Sequence, residues 1–197
     1  MSPQKRKPTS LLVKQESKAI EQWTKDFIEA SGENRNKILK QRLSDMKKNS
    51  LTVLPEMIER LQELPAHHQT ERVSLFLALG EVGPTVSQEA RTLIQGIVNQ
   101  ELTKPDQAKI SLDPQTIDFH HNTQFQKKED GVYLSNVSTK LAALDTLRTI
   151  GDKESIQKLI EIAKDPSQPQ YLRNAADDAI LSFLDPAEAA KIRAALN

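Results

Sequence analysis

The sequence contains no cysteine. A disulfide staple and a Cys-bearing zinc site are therefore excluded, and nothing about redox compartment follows. Aromatic residues are scarce at 4%, so a core must be assembled from Leu, Ile, Val and Ala. That supply suits helix packing better than a β-sandwich, which leans on aromatic and β-branched residues. Long apolar runs are missing as well, and none approaches the roughly 18 residues that a membrane-spanning helix needs. Leu11-Leu12-Val13, behind a basic and polar start, is too short for a signal-peptide core. The default placement is cytoplasmic, although a chain whose signal peptide had been removed would read the same.

Net charge is also absent, with 27 Lys/Arg balanced by 27 Asp/Glu in 197 residues. The balance is not local. Residues 1–50 carry 12 Lys/Arg against 6 Asp/Glu, a net of +6, whereas residues 51–102 carry 3 against 7, a net of −4. Such polarity speaks to association rather than to fold.

What is present is helical periodicity. Residues 1–10, with two prolines and a Lys-Arg-Lys triplet, predict a flexible basic tail. Val13, Ile20, Trp23 and Phe27 then share one stripe, closed by Ser31-Gly32, and a second helix over 33–48 turns Ile38, Leu39, Leu43 and Met46 inward. A third carries Leu51, Leu54, Met57, Ile58, Leu61 and Leu64, with Pro55 expected in its first turn and Pro65 as its stop. A fourth, over 68–80, carries Val73, Phe76, Leu77 and Leu79 and closes on Gly80 to Gly83. Pro84 and Thr85 are expected to open a fifth, with Ala90, Leu93, Ile94, Ile97 and Val98 inward and Gly96 marking close approach of a neighbour.

Residues 103–135 break the pattern with Pro105, Pro114 and a Glu129-Asp130-Gly131 turn signal. Helices resume near Ser135. The sixth presents Val137, Leu141, Leu144, Leu147 and Ile150 and ends at Gly151-Asp152. The seventh presents Ile156, Leu159, Ile160 and Ile162. The eighth, after Asp165-Pro166, presents Leu172, Ala176, Ala179, Ile180 and Phe183, and a short terminal helix places Ala190, Ile192 and Leu196 inward. One helical domain over 11–197 follows, comprising helices over 11–102, an insertion over 103–135 and helices over 136–197.

Residues 141–184 read as a small-residue helix, a Gly-Asp turn, a Leu/Ile-rich helix, an Asp-Pro turn and an Arg-containing helix with an Ala pair. This stretch resembles the phycobilisome-lyase type of HEAT-like repeat. Residues 71–94 are similar, with Ala78-Leu79-Gly80 and Val82-Gly83 imitating the same helix end, and the two stretches cover about a third of the chain. The resemblance implies an all-α fold, a short α-solenoid of antiparallel helix pairs, with Arg173 as the structural arginine that ties successive repeats. The insertion would fall between the two helices of one pair, which departs from the compact repeat. Physics points the same way. A lone helix pair buries too little apolar surface to offset its ordering entropy, so stacking is required.

Chemistry-bearing motifs are few. The pairs His67-His68 and His120-His121 cannot chelate well by themselves, since adjacent residues diverge by about 100° on a helix and point to opposite faces of a strand. With Asp118 and a folded-back insertion they would make an N/O site suited to zinc; exposed histidines are the expected reading. Asp145, Asp152, Asp165, Glu161 and Asp177-Asp178 read as caps and solvated faces. No phosphate-binding glycine loop, nucleophile elbow or His-Glu-x-x-His is present. The residues lean against an enzyme, and no metal or cofactor is expected.

Two surfaces are expected to bind. The insertion holds Phe119, Phe125 and Tyr133 beside His120 and His121, apolar and aromatic content that linkers avoid. A hairpin is predicted there, pairing Thr116–His120 with Val132–Leu134, as a cover for a helical face or a site for another protein. The second surface is basic: Arg35, Lys37, Lys40, Arg42, Lys47 and Lys48 would engage nucleic acid or another anionic surface by counterion release. A non-enzymatic protein-interaction scaffold is the expected function, with anion binding as the alternative.

Overall fold

The computed structural model describes residues 50–117 and 123–187. Six α-helices lie among the described residues: α1 (Ser50–Glu63), α2 (Gln69–Val82), α3 (Gln88–Leu102), α4 (Val137–Ile150), α5 (Lys153–Lys164) and α6 (Gln170–Leu181). Three short strands sit between α3 and α4: β1 (Gln107–Ile110), β2 (Phe125–Lys128) and β3 (Gly131–Ser135). The fold is thus mostly helical rather than purely so. The tail, the helices expected over 11–48 and the terminal helix bearing Ala190, Ile192 and Leu196 lie outside the described residues.

Helix α4 is the hub, packing on α2, α3, α5 and α6. Its contact with α2 is the most extensive between helices, because both elements carry small residues where they cross. A Cβ built on Gly80 would lie 3.2 Å from the Thr146 Cα, and the Thr146 hydroxyl donates to the Phe76 carbonyl at 2.7 Å. Gly80 is therefore the close-approach glycine. Gly96, expected to mark such a contact, faces open space: a Cβ added there would meet nothing within 4 Å.

The core runs through Met57, Leu61, Leu75, Phe76, Leu79, Ile94, Leu144, Leu147, Leu159 and Leu172, all fully or nearly fully buried. Three residues expected inside are outside: Leu93, Leu141 and Phe183 are 61%, 37% and 41% exposed. Leu93 and Leu141 sit one helical step off the inner stripe, which on α3 is Ile94, Ile97 and Val98, and Phe183 lies beyond the end of α6. Helix α2 differs in being buried nearly all round, from Gln69 and Arg72 to Leu79 and Val82.

Helix ends follow local chemistry. Gly151 closes α4 at φ 62°, a left-handed position that glycine adopts without a Cβ penalty. Asp152 then caps α5, accepting from the Ser155 amide at 2.8 Å. Ser87 caps α3 in the same way, so Pro84 and Thr85 belong to a 3-10 turn over Gly83–Thr85 rather than to the helix they were expected to open. Helix α2 also continues through Gly80 to Val82. Pro55 lies inside α1, not in its first turn; it faces solvent, where the lost N–H bond is cheapest.

The insertion forms an antiparallel sheet in the order β1-β3-β2. The Val132-Tyr133-Leu134 half of the predicted hairpin is β3, but its partner is Phe125–Lys128, joined through Glu129-Asp130, with Gly131 at φ 145°. Only a short loop lets β2 reverse directly into β3, and the tight two-residue connection defeats the longer one expected. Strand β1 covers the other edge of β3, pairing Ile110 with Val132 and Ala108 with Leu134.

Candidate functional site

Two bound ends anchor the insertion to the helices. The Asn136 amide donates to the Asp106 carbonyl at 2.8 Å, and its side-chain nitrogen donates to the Pro105 carbonyl at 2.8 Å. The Asp106 carboxylate accepts from Lys140 on α4 at 2.7 Å and from the Tyr171 hydroxyl on α6 at 2.8 Å. Lys140 is almost fully buried, and that carboxylate is the counter-charge beside it. Burial pushes the Asp106 carboxyl up, yet the bonds from Lys140 and Tyr171 and the Lys140 charge outweigh it and hold the group below its usual range. Burial and the adjacent Asp106 raise the Tyr171 phenol far above its ordinary value. Gln69 on α2 adds a bond to the Ser135 carbonyl.

Strand pairing assigns the predicted partner-binding residues to different faces. Phe125 stands opposite Leu134 and shares its face, where Val132 and Leu134 are buried. Tyr133 stands opposite Gln126 and Lys109 on the other face. Its hydroxyl donates to Asp130 at 2.7 Å, Lys109 lies 3.2 Å from the same carboxylate, and the Lys128 ammonium sits 4.2 Å from the ring centroid. Those bonds lower the Asp130 carboxyl and raise the Tyr133 phenol. Phe125 and Tyr133 are therefore not one surface. Phe119, His120, His121 and Asp118 lie outside the described residues, as do Arg35, Lys37, Lys40, Arg42, Lys47 and Lys48. The His67 and His68 rings lie tilted to one another at 4.6 Å between centroids, and His68 Nδ1 faces Glu71 at 3.5 Å.

A groove that sequence reasoning passed over lies between α3 and α5, with a volume of about 370 Å³. Helix α3 supplies Gln95 and Asn99 as one wall. Helix α5 supplies Gln157 and Glu161, with Lys153, Glu154 and Lys158 around them, and the nearly buried Leu147 of α4 lies at the base. At one end the helices are tied together: the Gln95 amide nitrogen donates to Asp152 at 3.0 Å and to the Ser155 hydroxyl at 3.0 Å, and Arg91 lies 3.8 Å from Asp152. Beyond that tie, Asn99 Oδ1 is buried and has no hydrogen-bond partner. The walls carry two lysines and two glutamates, of which Lys158 and Glu161 pair at 3.3 Å. The available signal in sequence was polar amides at i, i+4 directly beside the apolar stripe of α3, as Gln95 and Asn99 stand beside Ile94 and Val98.

Arg173, expected to tie repeats, bonds Gln170 on its own helix and lies near the Asp165 turn, whose carboxylate accepts from the Ser167 amide at 2.9 Å. A buried arginine that does join helices is Arg72, which sequence reasoning passed over. It donates to the Leu61 and Leu64 carbonyls at 3.0 and 3.2 Å and to Glu101 at 2.6 Å, linking α1, α2 and α3.

Among the described residues no helix is long and apolar enough to cross a membrane, and no group of three His, Asp or Glu is gathered to hold a metal. Comparison with protein-family models, with curated proteins and with solved structures finds no match to this chain.

Proposed function

We propose that the chain is a protein-interaction module, a short HEAT-like stack that receives another protein in the groove between α3 and α5. The packing supports a repeat reading. Helices α2, α4 and α6 form a row with α4 in the middle, while α1, α3 and α5 pack respectively on α2, α4 and α6. Three pairs result, α1/α2, α3/α4 and α5/α6, and the clamp at Pro105, Asp106 and Asn136 returns the chain from the insertion directly into the second helix of its pair. The insertion is thus an outgrowth of one turn rather than a break in the stack.

The observation that carries the reading is the groove itself. It lies between the first helices of successive pairs and has amide walls of balanced charge, a lining suited to polypeptide rather than to a polyanion. Fold by itself would not assign this role. A photo-crosslinking amino acid at Gln157, with Glu59 on α1 as the exposed control, tests it in cells. Protein adducts at Gln157 and none at Glu59 are expected; the same adducts at both, or none at Gln157, reject the reading.

Anion binding is the second reading, favoured by the net charge of +6 in residues 1–50. It requires salt-sensitive binding of nucleic acid that is lost on reversing Lys37, Lys40 and Arg42 to Glu. Binding that survives the reversal removes it.

A further inference from the structure

We infer that the joint between the insertion and the helical stack holds a resident water molecule, which donates one hydrogen bond to Gln69 Oε1 and one to Glu101 Oε1. The site stands apart from the α3/α5 groove and does not depend on what that groove binds.

Buried polar side chains gather where α2 begins, α3 ends and α4 begins: Gln69, Arg72, Glu101, Asn136, Thr139 and Lys140 are all buried. Two rungs connect the elements there. In the first, Gln69 Nε2 donates to the Ser135 carbonyl at the end of β3. In the second, Arg72 donates to Glu101 Oε2 at 2.6 Å, and the Thr139 hydroxyl lies beside the same carboxylate. Gln69 and Arg72 share a face of α2 and are separated by a rise of about 4.5 Å at ~1.5 Å per residue. The rungs are therefore neighbours, and the side chains that form them border one small space.

Gln69 and Glu101 are each 2% exposed, and each keeps one oxygen without a hydrogen-bond partner. A bare buried acceptor is costly, and natural structures keep few. The nearby donors are aimed elsewhere. Arg72 serves the Leu61 and Leu64 carbonyls as well as Glu101 Oε2, and Lys104 reaches Oε2 at 2.7 Å. Lys140 serves Asp106, and the Asn136 side-chain nitrogen serves the Pro105 carbonyl. Thr139 has one hydroxyl proton, which goes to the Asn136 carbonyl at 3.0 Å.

Charge and donor chemistry select the occupant. Both orphan atoms are acceptors, which repel an anion. Three cations, Arg72, Lys104 and Lys140, stand against two carboxylates, Glu101 and Asp106, and that excess disfavours a metal cation. What fits is a small neutral molecule carrying two O–H donors. Water meets that description, and buried waters characteristically bridge polar groups that the protein leaves unsatisfied.

Oxygen-17 relaxation dispersion, which registers waters held longer than the protein takes to tumble, tests the site on the full chain. Gln69→Met keeps the length of the side chain and removes its oxygen, so the water retains Glu101 alone. The expected result is a dispersion amplitude lower by one water in Gln69→Met and unchanged in Ser74→Ala. Ser74 is the control because its buried hydroxyl bonds the Thr70 carbonyl of its own helix. Thermal unfolding establishes that each variant is folded at the temperature of measurement. A crystal structure of the wild type needs no variant, and one water within hydrogen-bonding distance of both oxygens is expected. Equal amplitudes in wild type and Gln69→Met, an equal fall in Ser74→Ala, a separate water on each oxygen, or a protein donor on either one overturns the inference.

Discussion

Arg72 illustrates what a single residue contributes here. Its guanidinium is nearly buried, meets Glu101 at 2.6 Å and satisfies two carbonyls at the end of α1. Arg72→Met would leave both carbonyls without that partner and the Glu101 carboxylate with Lys104 alone, so a loss of about 2–3 kcal/mol is expected in urea unfolding. The glycines provide a contrasting pair. Gly96→Ala meets open space and removes helix-disfavouring freedom, so a gain of roughly 0.5–1 kcal/mol is expected. Gly80→Ala must push Thr146 and Thr149 aside and is expected to lower the unfolding midpoint. In the sequence Gly80 read as the end of a helix and Gly96 as the mark of a close contact. Which one touches a neighbour depends on a helix far along the chain.

At the scale of elements, the Asp106 carboxylate joins the insertion to α4 and α6. Asp106→Asn would leave Lys140 buried without a counter-charge. Because Asp106 is about a third exposed, a loss of about 2–3 kcal/mol is expected rather than the full value for a sealed pair. Tyr171→Phe removes one bond to the same carboxylate and should cost about 1 kcal/mol. Limited proteolysis should then cut within 107–135 faster in Asp106→Asn than in wild type, while α1 to α3 keep their protection; equal cleavage would show that the sheet is held by other contacts. Helix existence and order across the described residues were visible in the three- and four-residue spacing of Leu, Ile and Val. The sheet was half visible: β3 showed its Val-Tyr-Leu alternation, whereas β1, as Gln-Ala-Lys-Ile, and β2, as Phe-Gln-Lys-Lys, carry too few apolar residues to declare a face.

The whole molecule inherits a pH window from these groups. Burial raises the Glu101 carboxyl, but Lys104 and Arg72 bring it below its ordinary value, and Asp106 is lowered likewise. Depressed carboxyls stabilise the fold above their unfolded values of 4.5 and 3.8 and lose that contribution as pH falls through the folded ones. Tyr171 is shifted upward, so its contribution is complete below 10.0 and is lost as pH climbs toward the folded value. Urea midpoints should therefore hold across neutral pH, drop below about 4 and drop again above about 10. Tyr171→Phe should flatten the alkaline arm and, by removing one of the bonds that lower Asp106, shrink the acid arm as well. An unchanged alkaline arm would show that Asp106 and Tyr171 do not share a proton-dependent contact.

The amino-acid order by itself determined that helices would form over most of the described chain and that the segment after α3 would not continue them. Apolar spacing, caps and prolines are local, and each acts within a turn or two of its own position. Tertiary structure decided which of several apolar stripes faces inward, leaving Leu93, Leu141 and Phe183 outside, and it brought Asp106 to Lys140 and Tyr171. The groove belongs to that second category. Gln95, Asn99 and Gln157 become neighbours only when α3 and α5 rest on the same helix, a consequence of packing that no window of sequence contains.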